Sequence, residues 1–287
     1  MSETFDPLEA LREPVVPVDP DPVFAATLRA RLRRALLDRT GVSMTTNTES
    51  AAGETTSAEG DVQYVSLWLP DVLRAEAFYG SVLGWQFAPG SGQHGRQIVG
   101  LPTQHIGMWG RTGHNTSLVS LGVENVQETV RKVRAAGGAA EEPSQQPYGL
   151  AAMCADDQGM AFSVLQSPAA ERGPVPEAGP GEIVYLTFEA VDSARFRAFF
   201  GAVFGWRFTP GRSGDRWNIN GIHPFAGLSG GNAQTTIVPQ FLVSDLDAAL
   251  ERLRAAGGSA NEPQPQPYGR STDCVDDQGT RFYLAQL

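Results

Sequence analysis

The sequence predicts an α+β chain made of four βαβββ units, set as two tandem copies behind a short helical N-terminal extension. Three observations predict it. First, Asp61–Gly90 (DVQYVSLWLPDVLRAEAFYGSVLGWQFAPG) and Glu182–Gly211 (EIVYLTFEAVDSARFRAFFGAVFGWRFTPG) match at 12 of 30 positions, 121 residues apart. Second, Val130–Phe162 and Leu250–Phe282 match at 18 of 33 positions, 120 residues apart, and share RAAGG, QPYG, a Cys and DDQG. A period that long is a duplicated domain and not a solenoid. Third, each copy holds a fainter repeat: VSLWLPDV at 65–72 resembles VSLGVENV at 119–126, and TFEAVDS at 187–193 resembles QFLVSDL at 240–246.

The elements of one unit follow in order. Val62–Leu69 is rich in β-branched and aromatic residues and predicts a strand. Asp71 then precedes apolar residues at near-helical spacing, with Asp71 as N-cap and Gly84 as stop. Short apolar runs between Gly and Pro, at Trp85–Phe87, Gln97–Leu101 and Ile106–Trp109, predict three further strands. The second half opens with a strand at Ser117–Val123 and a helix at Val126–Ala136, stopped by Gly137–Gly138. Strands near Ala139–Glu141, Leu150–Cys154 and Met160–Gln166 complete it. DDQG, at 156–159 and 276–279, has Asp first and Gly fourth, as a hairpin turn requires. The domains so predicted are 61–167 and 182–287, joined by a Pro/Gly linker at 168–181.

Residues 1–60 lie outside the repeat. A basic amphipathic helix is predicted over about 21–39, with Arg29, Arg31, Arg33, Arg34 and Arg39, followed by a Thr/Ser-rich stretch predicted to be disordered. That helix is either a solvated extension or a dock for a protein partner. The net charge of −10 argues against nucleic acid as a partner. No apolar run approaches the roughly 18 residues that span a bilayer. The first residues lack a basic-then-apolar signal, so a cytoplasmic location is expected. Two cysteines exclude a disulfide scaffold, and Lys132 is the only lysine that could act as a nucleophile. Cys154 and Cys274, at equivalent strand positions, are expected to be buried and inert.

The joint order of strand, Asp-capped helix, FYGSVLGW, AAGG and DDQG resembles the vicinal oxygen chelate superfamily, the family of glyoxalase I, bleomycin resistance proteins and extradiol dioxygenases. The nearest shape is the tandem glyoxalase-like protein of actinobacterial type. The resemblance implies paired βαβββ units curled around a ligand cleft, two clefts per chain, completed within one chain or by exchange in a homodimer. It also implies a divalent metal, Zn, Ni, Mn or Fe, on His and Glu ligands from the first strand of each half and the last strand. Carried onto this sequence, those positions are Tyr64, Leu118 and Ser163 in copy one and Tyr185, Val238 and Tyr283 in copy two. None is His, Asp or Glu, so no cofactor is expected, and a metal remains the family alternative. Three of the four histidines, His94, His105 and His114, fall in copy one, 11 and 9 residues apart, and share no helix face. His223, before a Pro, is expected at a strand end.

Side chains two apart share a strand face. Copy one therefore presents Tyr64, Ser66, Trp68, Leu118 and Ser163 to its cleft, and copy two presents Tyr185, Glu189, Gln240, Arg281 and Tyr283. Copy one is the more apolar, with Trp109 added, and the two sites should differ in ligand preference. Tyr148 and Tyr268 either pack or lid a cleft, and Trp85 and Trp206 anchor helix to sheet. Glu189 replaces Trp68 mid-strand, where a carboxylate is costly unless paired. It is either an acid–base residue acting with Tyr185 or one half of an ion pair with Arg281.

Three functions follow. The first is a metal-free protein that binds or sequesters a small aromatic or amphipathic molecule, as resistance proteins do. The second is a glyoxalase-like lyase or isomerase, less readily a dioxygenase, using either a metal or Glu189 and Tyr185. The third is an interaction scaffold.

Overall fold

The computed structural model describes residues 59–90, 92–111, 113, 115–167, 177–212 and 214–287. The predicted N-terminal helix and the stretch that follows it lie outside them. The first copy forms one nine-stranded sheet in the order β2-β3-β4-β1-β5-β9-β8-β6, with β7 also on β8. Its strands are β1 (Val62–Trp68), β2 (Gln86–Pro89), β3 (Gly95–Val99), β4 (Ile106–Trp109), β5 (Thr116–Val123), β6 (Ala139–Ala140), β7 (Ser144–Gln146), β8 (Gly149–Ala155) and β9 (Ala161–Gln166). Helix α1 (Val72–Leu83) follows β1, and α2 (Val126–Ala135) follows β5.

The second copy repeats this as β10 (Ile183–Glu189), α3 (Ser193–Phe204), β11 (Arg207–Pro210), β12 (Arg216–Asn220), β13 (Ala226–Ser229), β14 (Thr236–Leu242), α4 (Leu246–Ala255), β15 (Ser259–Ala260), β16 (Gln264–Gln266), β17 (Gly269–Val275) and β18 (Arg281–Gln286). The faint internal repeat is therefore structural: each copy is two βαβββ modules. They meet edge to edge where β1 runs antiparallel to β5, and β10 to β14. The short strands β7 and β16 were not predicted. SQQ and QPQ carry no apolar alternation, and pairing to β8 and β17 alone makes them strands.

Local chemistry explains the helices. Asp71 accepts from the backbone of Leu73 and Arg74, Asn125 from Glu128, Asp192 from Ala194 and Arg195, and Asp245 from Ala248. Gly84 and Gly205 end α1 and α3 in the left-handed conformation, at φ 73° and 69°.

The helices lie between the two sheets, and the copies exchange partners there. Phe78 and Tyr79 of α1 pack on Phe282, and Tyr79 also on Phe241, of the second sheet. Phe199, Phe200 and Phe204 of α3 pack on Phe162 of the first. One continuous apolar core results. The second glycine of each AAGG gives way to the visiting ring: a Cβ on Gly138 would meet Phe199, and one on Gly258 would meet Phe78.

The DDQG turns lock this exchange. Asp156 Oδ1 accepts from the backbone of Gln158 and Met160 and closes its own hairpin. Gln158 then reaches into copy two, where its amide donates to Asp192 O at 3.0 Å and accepts from Asp192 N at 2.7 Å. Gln278 does the same to Asp71 of copy one. Arg195 pairs with Asp157 and Arg74 with Asp277. At the foot of β10, the fully buried Glu182 carboxylate accepts from Thr103 N, Thr103 Oγ1 and Gln104 N of copy one and from Gly179 N.

Candidate functional site

Each sheet buries one face against the helices and turns the other into a cleft. In β10, Leu186 and Phe188 point to the core, and Tyr185, Thr187 and Glu189 lie on the other face. The register sets three side chains in a row across the strands: Tyr185 beside Gln240, and Gln240 beside Tyr283. The matching row in copy one is Tyr64, Ser120 and Ser163.

The second copy holds a cleft of about 490 Å³ whose lining includes Tyr185, Arg216, Gln240, Tyr268, Asp273 and Tyr283. The remaining lining side chains are hydroxyls, amides and one carboxylate, Glu262, with no aliphatic residue. Three tyrosines supply the flat apolar surface. Tyr268, 49% exposed, stands in the lining and not in the core. It comes from the turn between β16 and β17 and hydrogen-bonds Ser271 at 3.4 Å. Burial pushes up the hydroxyl pKa of Tyr185 and carries that of Tyr283 to about 12, the neighbouring Asp273 adding to the latter.

Gln240 is 7% exposed, and its amide makes no hydrogen bond to any described residue. Its polar atoms are open to the cleft and are not among the buried unpaired ones. The Tyr185 hydroxyl is likewise unpaired, because Asn218 donates to Pro210 O instead. In copy one the longer Gln97 reaches the matching hydroxyl, donating to Tyr64 Oη at 3.2 Å, and Ser120 and Ser163 bond each other at 2.6 Å. The first site thus satisfies its own polar groups. The second leaves them open.

Gly107 and Gly227 were missed from the sequence. Each lies under a tyrosine: a Cβ on Gly107 would run into the Tyr64 hydroxyl, and one on Gly227 into that of Tyr185. The tyrosines span β4 and β13 because those strands carry no side chain there. A glycine in a short strand gives no sequence signal of the ring that crosses it.

Glu189 is 9% exposed and forms a two-oxygen pair with Arg281, at 2.9 and 3.1 Å, and Arg281 also lies 3.6 Å from Asp273. Neither Glu189 nor Arg281 is in the cleft lining, since Glu189 ends β10 two residues past Thr187. Ser66, Trp68, Leu118 and Ser163 are buried on the matching face of copy one. The Trp109 ring lies against Gly92 and Gly95. His94 and His105 sit beside β3 and β4, and His114 lies outside the described residues. His223 stands in the turn before β13, where its backbone receives and gives bonds to the strand foot of copy one. Cys154 and Cys274 are buried, and that burial pushes both thiols up to about 12.

Two short strings match catalytic or nucleotide-binding patterns and lack their setting. GSGQHG at 90–95 falls in sequence between the helix-free strands β2 and β3, and Ser229 of GLSGG is the last residue of β13, not a strand-to-helix elbow.

The metal positions implied by the resemblance do not fit a metal. Leu118 and Val238 carry no donor atom, and Tyr64 Oη is held by Gln97 over Gly107. No group of three His, Cys, Asp or Glu side chains with metal-binding proximity occurs among the described residues. No described helix is long and apolar enough to cross a membrane.

No family model matches the chain. Among curated proteins it is 26% identical to the anthracycline biosynthesis protein DauV of Streptomyces sp. (strain C5), over 80% of this chain and 94% of the relative. It is equally similar, over the same shares, to the anthracycline biosynthesis protein DnrV of Streptomyces peucetius. Among solved structures, the Mn(II)-bound glyoxalase from Novosphingobium aromaticivorans superposes with a TM-score of 0.62 at 17% identity, over 80% of this chain and 83% of that one. Homoprotocatechuate 2,3-dioxygenase from Brevibacterium fuscum, complexed with 3,4-dihydroxyphenylacetate, gives 0.59 at 14%, over 82% and 83%. With four βαβββ modules in two curled sheets, the chain has the fold of these glyoxalase and extradiol dioxygenase structures.

Proposed function

We propose that this chain binds a planar, oxygenated aromatic molecule in the cleft of its second copy, as a sequestering protein of the cytoplasm that uses no metal. The observation that carries this reading is the convergence of Tyr185, Tyr268 and Tyr283 around the unpaired Gln240 amide. Aromatic faces take the ring, and the cleft-facing amide takes an oxygen on its edge. The two Streptomyces relatives named for anthracycline biosynthesis support that ligand class, since anthracyclines are planar hydroxylated aromatics. A ligand held without turnover accords with metal positions occupied by Tyr, Val and Tyr, and with a Glu189 tied to Arg281.

Calorimetric titration with 1,4-dihydroxyanthraquinone tests it. One molecule per chain is expected to bind. Tyr185→Ala and Gln240→Leu should each weaken binding about tenfold, the worth of one stacked ring or one buried hydrogen bond. Tyr64→Ala should not. Absence of saturable binding by the unaltered chain refutes the reading.

A further inference from the structure

Arg216 is the one cationic side chain in the lining of the second cleft. Among the described residues it has no carboxylate within ion-pair distance. It stands at the Tyr185 side, close enough for its charge to act on the Tyr185 hydroxyl. The two acids of the lining do not answer it. Asp273 is engaged by Arg281 at 3.6 Å, and Glu262 is exposed. The fold does not require an arginine here, because the same place in copy one is Gly95, against which Trp109 lies. The exposed Arg216, the Tyr185 hydroxyl and the Gln240 amide are thus three hydrogen-bonding groups in one cleft with no partner among the described residues.

We infer that the ligand of the second cleft carries an anionic oxygen substituent, a carboxylate or an ionised phenol, which Arg216 holds while Tyr185 and Gln240 bond its neighbouring oxygens. This rests on the cleft being a binding site for oxygenated aromatics. It deepens that reading by naming the charge the ligand bears. A guanidinium favours an oxyanion over a neutral oxygen because both its charge and its planar N–H groups are matched.

The test uses the full chain and three probes with one ring system: anthraquinone-2-carboxylate, 2-hydroxyanthraquinone above its pKa, and the neutral anthraquinone-2-carboxamide. The carboxylate, the phenolate or both should bind about tenfold or more tighter than the carboxamide, the range of one charge-assisted hydrogen bond. The better of the two anions tells which oxygen the site takes. Arg216→Gln should bring the anions down to the carboxamide's affinity and so abolish the preference for charge. Arg216→Lys should keep part of the preference, and an unchanged melting temperature shows that the variants are folded. Equal binding of all three probes, or a preference that survives Arg216→Gln, overturns the inference and leaves the cleft reading standing. Failure of all three to bind overturns both.

Discussion

The Tyr79 hydroxyl donates to Asp276 Oδ2 at 3.3 Å across the boundary between the copies, whereas Phe200 stands at the matching place and Asp156 Oδ2 has no donor. Burial pushes Asp156 from 3.8 to about 6, against the lowering effect of the Met160 and Gln158 backbone bonds. Between those values the folded chain holds a proton that the unfolded chain has released. This group therefore adds stability as the pH falls from 7 toward 5 and withdraws it as the pH rises through about 6. Urea melts at pH 5 and pH 7 should show that gain in the unaltered chain and a smaller one in Asp156→Asn. Phe200→Tyr should stabilise the chain at pH 7 by about 1 kcal/mol, by giving Oδ2 its donor. Identical pH slopes for the chain and Asp156→Asn would refute this account.

The DDQG turn carries a second expectation. Gln278 satisfies both polar groups of the Asp71 peptide, and Gln158 those of Asp192. The adjacent Arg74 and Arg195 pairs are largely exposed on the arginine side. Exposed ion pairs contribute about 0–1 kcal/mol, while two hydrogen bonds from one amide contribute about 1–3 kcal/mol. Gln278→Ala should therefore lower the denaturation midpoint more than Arg74→Ala. The reverse order in chemical denaturation would show that charge, not the amide, holds the copies together.

These clamps mark the limit of what the sequence discloses. Module order, helix caps and strand faces were legible because they rest on neighbours in the chain: Asp71 caps two and three residues on, and Tyr64, Ser66 and Trp68 alternate on one strand. DDQG was legible as a turn for the same reason. Its grip on a helix start about 200 residues away left no local trace. The row Tyr185–Gln240–Tyr283 was accessible through the register of equivalent strands. For Tyr268 the sequence left packing and lidding a cleft both open, because a turn residue's direction depends on how β16 folds back on β17. Nor was Gly227, whose importance comes from a ring on another strand.

Gly227 gives a test of that ring. Alanine there drives a methyl into the Tyr185 hydroxyl and displaces the tyrosine, at a cost of about 1–3 kcal/mol for overpacking. Because Tyr185 lines the cleft, Gly227→Ala should also weaken binding of 1,4-dihydroxyanthraquinone. Gly227→Ala combined with Tyr185→Leu should recover most of the lost stability and none of the binding. A cost that persists undiminished in the double variant would place the strain elsewhere in β13.

The donor set makes the last expectation quantitative. An ion that binds only the folded chain, at a hundred times its Kd, stabilises by about 2.7 kcal/mol. For a tandem of roughly this size, sharing one core, that raises the melting temperature by about 5–10 °C. Leu118 and Val238 offer no donor, and Tyr64 and Tyr185 are neutral phenols whose pKa values burial drives upward, so neither gives up its proton readily to an ion. Zn, Ni, Mn and Fe(II) should each shift the melting temperature by less than about 2 °C, far below that mark. Elemental analysis of the purified chain should find them well below one per chain. The triple variant Tyr185→His, Val238→His and Tyr283→Glu restores the donor types the fold family uses and serves as the control. A clear thermal shift in that variant and none in the unaltered chain would assign the missing affinity to these three side chains. A stoichiometric metal in the unaltered chain would mean that ligands come from other residues, and the metal-free reading of the cleft would fall with it.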